Sequence, residues 1–271
     1  MHKPLFSLPP SLLALLLLAS CHGGVAVDEG PQLAQSIAAE NFTKIEASAG
    51  LNIIYLQADS TTITARGTEM ALSRLQVEVK HGKLIATMKD HKNRGHKTVV
   101  IHEGSPAVEL LVSAPTLEEV EVSAGVSFTT ETLRTQDFDL SVSAGSKIDI
   151  SYLSCAELSL EVFEGGEGHI DELNAVEAEV DVTSGGDFTI KQLACDKVEA
   201  DVSTGSELSL NKVTTLTASL EATAGGELDA YFARCNRAKA EAASGGHVKV
   251  RGTVGQLERI ADMSGRISVG K

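Results

Sequence analysis

Glycine recurs every twenty residues through the second half of this chain. It occupies positions 125, 145, 165, 185, 205, 225, 245 and 265, with no insertion or deletion between them. In the full blocks counted from Glu121, the second residue is Val or Ala, and the fourth is small in most blocks. A fixed period of this length indicates a solenoid, because a single repeat cannot bury its apolar face without its neighbours.

Apolar residues within each block are spaced two apart, as in a strand with one buried face. A first strand crosses the block boundary, where the last residue is apolar from Leu140 to Ile260, and it ends at the glycine. A second strand follows, with inward residues such as Phe128, Ile150 and Leu208. The sequence therefore predicts an all-β fold, a parallel β-helix of twenty-residue coils over residues 118–271. The usual hand of parallel crossovers predicts that it is right-handed.

Three other repeat folds fit this pattern less well. A left-handed hexapeptide helix needs a coil length divisible by six. A leucine-rich repeat needs a recurrent Asn and a helical return, and neither recurs here. A jelly roll would not keep a constant spacing.

Residues 41–117 alternate in the same way but lack the twenty-residue period. Strands are predicted at Phe42–Ser48, Leu51–Gln57, Thr61–Arg66, Leu75–Lys80, Leu84–Lys89, Thr98–His102 and Val108–Ser113. The turn at Lys80–Lys83 predicts antiparallel hairpins. Because Glu46–Gly50 repeats the start of a block, we expect a first coil that hairpins interrupt and an antiparallel region that caps the solenoid.

The first 21 residues have the layout of a bacterial signal peptide. An apolar run from Leu12 to Leu18, too short to span a bilayer, is followed by Ala19, Ser20 and Cys21. This ending resembles a lipobox, which implies that Cys21 is acylated and anchors the protein to a membrane. His22 after the cysteine favours the outer membrane. Residues 22–40 are small and polar, and are expected to form a flexible tether.

Together these motifs resemble a known bacterial family. The stretch Phe42–Ile53 has the pattern F-x-x-I-x-A-S-A-G-L-x-I, and hairpins and repeated V-S-A-G turns follow it. The chain is similar to the "putative auto-transporter adhesin, head GIN domain" family over roughly residues 41–271. The resemblance implies a secreted or lipid-anchored all-β solenoid, and it assigns no catalytic residues.

One column of acidic residues is the candidate binding face. The first residue of the block is acidic at Glu121, Glu161, Asp181, Asp201, Glu221 and Glu241. Stacked coils would place such residues about 4.8 Å apart. The column is interpreted either as a face that binds cations or a basic partner, or as a solubilising face that discourages lateral sheet pairing. Basic neighbours two positions earlier are expected at Lys239 and Arg259.

Histidine and cysteine do not form recognisable metal or redox motifs here. His81, His91, His96 and His102 lie around a predicted hairpin tip, which is a poor cage for zinc. Cys155, Cys195 and Cys235 fall in alternate coils, about 9–10 Å apart, which is too far for a disulfide. No metal ligand and no cofactor is therefore predicted.

The sequence favours a non-catalytic cell-envelope lipoprotein that presents a solenoid surface, with adhesin-like binding. Its partners would be the membrane, through the lipid on Cys21, and an unidentified protein or glycan. The net charge of −14 argues against nucleic acid. Two alternatives stay open, a glycan-active β-helix enzyme and a structural or sensing module of the envelope.

Overall fold

The chain folds into a parallel β-solenoid of about eight turns, capped at its N-terminal end by antiparallel strands. The computed structural model describes residues 30–89, 108–262 and 264–270. One short helix, α1 (Glu69–Arg74), separates the fourth and fifth strands. The strands are β1 Leu33–Ile37, β2 Lys44–Ala47, β3 Asn52–Gln57, β4 Thr62–Gly67, β5 Leu75–Lys80, β6 Lys83–Met88, β7 Val108–Ala114, β8 Glu119–Val122, β9 Ser127–Arg134, β10 Asp137–Val142, β11 Lys147–Ser154, β12 Glu157–Val162, β13 Glu167–Asn174, β14 Glu177–Val182, β15 Asp187–Ala194, β16 Lys197–Val202, β17 Glu207–Ala222, β18 Glu227–Ala242, β19 His247–Ala261 and β20 Arg266–Val269.

The regular coils have three faces, which follow from the burial pattern. Inward and outward side chains alternate along β10 and along the first half of β11. This alternation shifts by one residue at Ser151, and it shifts again after Cys155. The pairing of β11 with β13 also skips Ser151. Face 1 comprises β8, β10, β12, β14, β16 and the last six residues of β17 and β18. Face 2 is the segment that follows each glycine turn. Face 3 is the short segment that follows the first shift of the alternation. Predicted inward residues such as Phe128, Ile150 and Leu208 are fully buried, as expected.

Each coil turns between faces 1 and 2 on two residues with positive φ. In the second coil these are Ala144 at 49° and Gly145 at 71°, and the Ser146 amide donates to the Ser143 carbonyl at 3.0 Å. Two consecutive positive φ values define a type I′ turn, which glycine adopts without steric cost. The recurrent glycine is therefore explained by the turn that follows face 1.

The last coil departs from the predicted register. Gly252 still lies opposite Phe232, but Val254 lies opposite Cys235, so the offset between β18 and β19 falls from twenty residues to nineteen. By the twenty-residue count, Gly255 would occupy the position that holds an inward side chain in earlier coils. In the structure, Val254 occupies that position instead. The block pattern predicts that Ile260 points inward and that Gly265 forms the turn, and both predictions are wrong. Ile260 points outward and is 44% exposed, and the turn residue is Ser264, whose φ is 76°, with Gly265 after it.

The N-terminal region begins with the interrupted coil that its sequence predicts. Strands β2 and β3 pair in parallel with β8 and β9 of the next coil, and Glu46 lies opposite Glu121. On their other side they pair in parallel with β6 and β7. Antiparallel strands β5, β4 and β1 then cover this end. The buried residues of cap and coils form one core, so this region is not a separate unit.

Two local features of the cap were not predicted. The tether prediction is wrong for Leu33–Ile37, which pairs antiparallel with β4 because that edge is open to another strand. Helix α1 was missed because it is only six residues long. Thr68 caps it by accepting a hydrogen bond from the Ala71 amide at 3.1 Å. The predicted strand Thr98–His102 lies outside the described residues.

Candidate binding face

The predicted acidic column forms on face 1. Glu161, Asp181, Asp201, Glu221 and Glu241 lie directly opposite one another on successive parallel strands. Glu121 belongs to the same column, but Ser141 separates it from Glu161. The structure therefore brings five of the predicted residues into adjacent coils and leaves Glu121 one coil apart.

Neighbouring positions make face 1 more acidic than the column alone. Its other outward residues lie two and four positions earlier in each strand. From β10 to the end of β17, the outward carboxylates of face 1 are Asp137, Asp139, Glu157, Glu161, Glu177, Glu179, Asp181, Glu199, Asp201 and Glu221, and the basic residue among them is Lys197. A shallow depression on this face is lined by Asp137, Glu157, Glu177 and Lys197 among others.

The middle of the column has little local compensation. The Lys197 ammonium contacts Glu199 at 3.0 Å and Glu177 at 3.8 Å. Among the described residues, Asp181 and Asp201 form no ion pair. Partial burial, followed by the charges of Asp181 and Glu221, raises the pKa of Asp201 to about 6, and burial also raises the pKa of Asp181.

Basic residues neutralise the two ends of the face. At the N-terminal end, Lys44 and Lys83 contact Glu119 at 2.5 and 2.8 Å, and Lys83 lies 3.9 Å from Glu121. Lys239 contacts Glu241 near the other end. The prediction that Arg259 continues the row of Lys239 is wrong, because the nineteen-residue offset places Glu258 there.

A second acidic column was missed by the sequence reasoning. Glu167, Asp187, Glu207 and Glu227 lie opposite one another on face 2, immediately after the glycine turns. The signal in the sequence is an acidic seventh position in four consecutive blocks. Face 2 also holds cross-coil ion pairs, such as Lys147 with Glu167 at 2.8 Å and Lys249 with Asp229 at 3.1 Å.

The described residues contain no cluster of His, Cys, Asp and Glu arranged to hold a metal ion. His81 lies in the tight turn between β5 and β6, with a φ of 50°, and the other three histidines of that group fall outside the described residues. Cys155, Cys195 and Cys235 are buried and unpaired, and burial raises the pKa of Cys155 to about 12. Within the described ranges, no helix is long and apolar enough to span a membrane.

The fold and its outward columns define a class of protein, a β-solenoid whose polar faces are flat and whose turns have constant length. The family model described as "Putative auto-transporter adhesin, head GIN domain" matches residues 41–224. The chain belongs to this family. The description is that of adhesins, a class of cell-envelope and surface proteins.

Three solved structures share the fold. A putative lipid binding protein from Parabacteroides distasonis superposes with a TM-score of 0.78 at 15% identity, covering 90% of this chain and 98% of its own. A putative adhesin from the same species superposes with a TM-score of 0.73 at 18% identity, and the match covers 89% of this chain and 98% of that one. A putative adhesin from Parabacteroides merdae superposes with a TM-score of 0.71 at 14% identity, and the match covers 89% of this chain and 96% of that one. Among curated proteins, no sequence matches this chain.

Proposed function

We propose that this protein is a non-catalytic lipoprotein of the bacterial outer membrane that binds a macromolecular partner through its flat solenoid faces. Acyl chains on Cys21 would hold it at the membrane. Cys21 lies outside the described residues, so the support for the anchor is the lipobox-like sequence. The adhesin description of the family supports a binding role at the cell surface.

The constant coil length is the observation that favours binding over catalysis. Strands of faces 1 and 2 stack in register at intervals of twenty residues from β8 to β18, and the described residues insert no loop between these coils. An active site needs a few polar groups that converge in a concave pocket. Here the carboxylates stand in open columns along face 1, so they do not converge on one substrate bond as an acid and a base would.

The acidic column of face 1 is our candidate for the contact surface. The variant Asp181→Asn with Asp201→Asn removes two central charges, and Asp187→Asn with Glu207→Gln removes two from face 2 as a matched control. If face 1 binds the partner, adhesion of cells carrying the first variant falls and adhesion with the control does not. If the column only solubilises the protein, the first variant adheres normally and is more stable than the wild type.

Two experiments on cells test the rest of the proposal. Labelled palmitate is expected to enter the wild type and Cys155→Ser, but not Cys21→Ser. Protease added to intact cells is expected to degrade the protein, and a deletion strain is expected to adhere less to immobilised host proteins and glycans. Equal labelling of all three proteins would contradict the anchor, and full protection from protease would contradict surface display.

A further inference from the structure

Among the described residues, one strand edge at the C-terminal end of the solenoid has no partner. Strand β19 pairs along its length with β18 on one side. On the other side β20 covers only His247–Val250, and no other described residue pairs with Arg251–Ala261. Such an edge presents backbone N–H and C=O groups that an extended chain can satisfy, which is how β-augmentation sites bind their partners.

Side-chain burial shows that no described strand covers the core at this edge. Val248 and Val250, which β20 covers, are 0% and 1% exposed. Leu257, which lies opposite the buried Ala238, is only half-buried. The core of face 1 therefore continues to the last coil, and its apolar inner side is left without a cover there.

Arg259 gives this edge a specific chemistry. It lies opposite Ala240, which points into the core, and side chains opposite each other in a parallel ladder point to the same side. The inward sequence along the edge is therefore Leu257, Arg259, Ala261. A strand that covers it needs an acidic residue opposite the arginine, with apolar residues on either side.

A second copy of the chain does not meet this requirement. Among the described strands, the other unpaired edges of a second copy belong to β1 and β20, which hold no acidic residue, and to β5, whose Glu78 has Gln76 and Lys80 as neighbours on the same side of the strand. The inward residues that β19 of a second copy would offer near this point are Val254, Leu257, Arg259 and Ala261, and none is acidic.

We propose that the edge Arg251–Ala261 docks an extended segment of another protein with the pattern apolar-x-acidic-x-apolar. The segment adds one strand to face 1, with its acidic residue opposite Arg259 and its apolar residues opposite Leu257 and Ala261. The pattern is symmetric, so it fits a parallel or an antiparallel strand. This site lies at the end of the solenoid and does not depend on the function proposed for the faces.

Two labelled nine-residue peptides test the proposal with the full chain in detergent. Both alternate threonine with valine, and the central inward residue is aspartate in one and lysine in the other. We expect the aspartate peptide to bind about tenfold more tightly by fluorescence anisotropy, the factor that about 1.4 kcal/mol of cross-strand charge preference gives. It is also expected to protect the amides of Arg251–Ala261 from hydrogen exchange.

Charge variants decide whether Arg259 sets the preference. Arg259→Glu is expected to favour the lysine peptide, and Arg259→Gln to bind both peptides equally. Arg237→Glu is the matched control on β18, which has a strand on both sides, and it should keep the wild-type preference. Equal binding of both peptides to the wild type, unprotected edge amides, or dimers that protect the edge without peptide would overturn the proposal.

Discussion

Thr204 occupies a backbone conformation that a β-branched residue tolerates poorly. Its φ is 56°, in the left-handed region, and it is the first central residue of the turn between β16 and β17. Its side chain is exposed, and its hydroxyl makes one long hydrogen bond of 3.4 Å to the Ser203 hydroxyl. Replacing this side chain therefore loses little packing or hydrogen bonding.

The expected gain follows from two opposing effects. The left-handed conformation costs a residue other than glycine about 1–2 kcal/mol, whereas glycine loses about 0.5–1 kcal/mol more conformational entropy on folding. Thr204→Gly should therefore stabilise the protein by about 0.5–1 kcal/mol, which corresponds to a rise in Tm of roughly 1–4 °C. Thr204→Asn should give a stabilisation at the upper end of this range, because asparagine tolerates the left-handed region and has no comparable entropy cost.

Thermal unfolding followed by circular dichroism measures this difference, with two matched controls. Ala224→Gly changes the same turn position without a β-branched side chain, so its gain should be smaller. Thr217→Gly changes an extended residue of β17 and should lower the Tm, because glycine weakens a strand. A fall in Tm for Thr204→Gly as large as that for Thr217→Gly would refute the reasoning.

Three further predictions concern the charges, the thiols and the core. Because the pKa of Asp201 is raised to about 6 in the folded protein, its folded state binds the proton more tightly, and stability should fall as the pH rises from 5 to 7. Urea denaturation should show that Asp201→Asn reduces this dependence, and an unchanged dependence would contradict the raised pKa. Burial raises the pKa of Cys155 to about 12 and of Cys195 to about 11, so Ellman's reagent should react slowly with the folded protein at pH 8 and rapidly in guanidinium; fast reaction of the folded protein would contradict their burial. Phe188→Ala empties a fully buried position and should cost about 3–5 kcal/mol in the same urea assay; a cost below 1 kcal/mol would mean that the core collapses around the gap.

The glycine period predicted most of the coil geometry. Because strands stack at a constant interval, it also fixed which residues are opposite each other, including Asp181 and Asp201. The pattern failed at the last coil, where Gly265 keeps the spacing of twenty although the strand pairing has moved to nineteen. That shift depends on how the corner around Val254 packs, which a count of residues does not reveal. Right-handedness stays a prediction.

The cap and the electrostatics depended on information beyond the local pattern. The alternation predicted individual strands well, but not that β6 and β7 lie outside the first coil, because pairing between distant segments leaves no local signature. Asp201 and Glu207 belong to similar acidic columns. Desolvation, followed by the charges of neighbouring carboxylates, raises the pKa of Asp201, and the sequence does not encode that desolvation in any simple way.

The stacking register also makes the length of this molecule independent of its surface chemistry. Since successive coils from β8 to β18 align at twenty residues, a gene duplication of one sixty-base-pair unit would lengthen the rod by about 4.8 Å. Every column on every face would continue through the new coil, and the cap and the terminal edge would be unchanged. A duplication one codon shorter or longer would need a corner to absorb the difference, as the corner around Val254 does in the last coil. Relatives of this protein could thus differ in length while presenting the same faces.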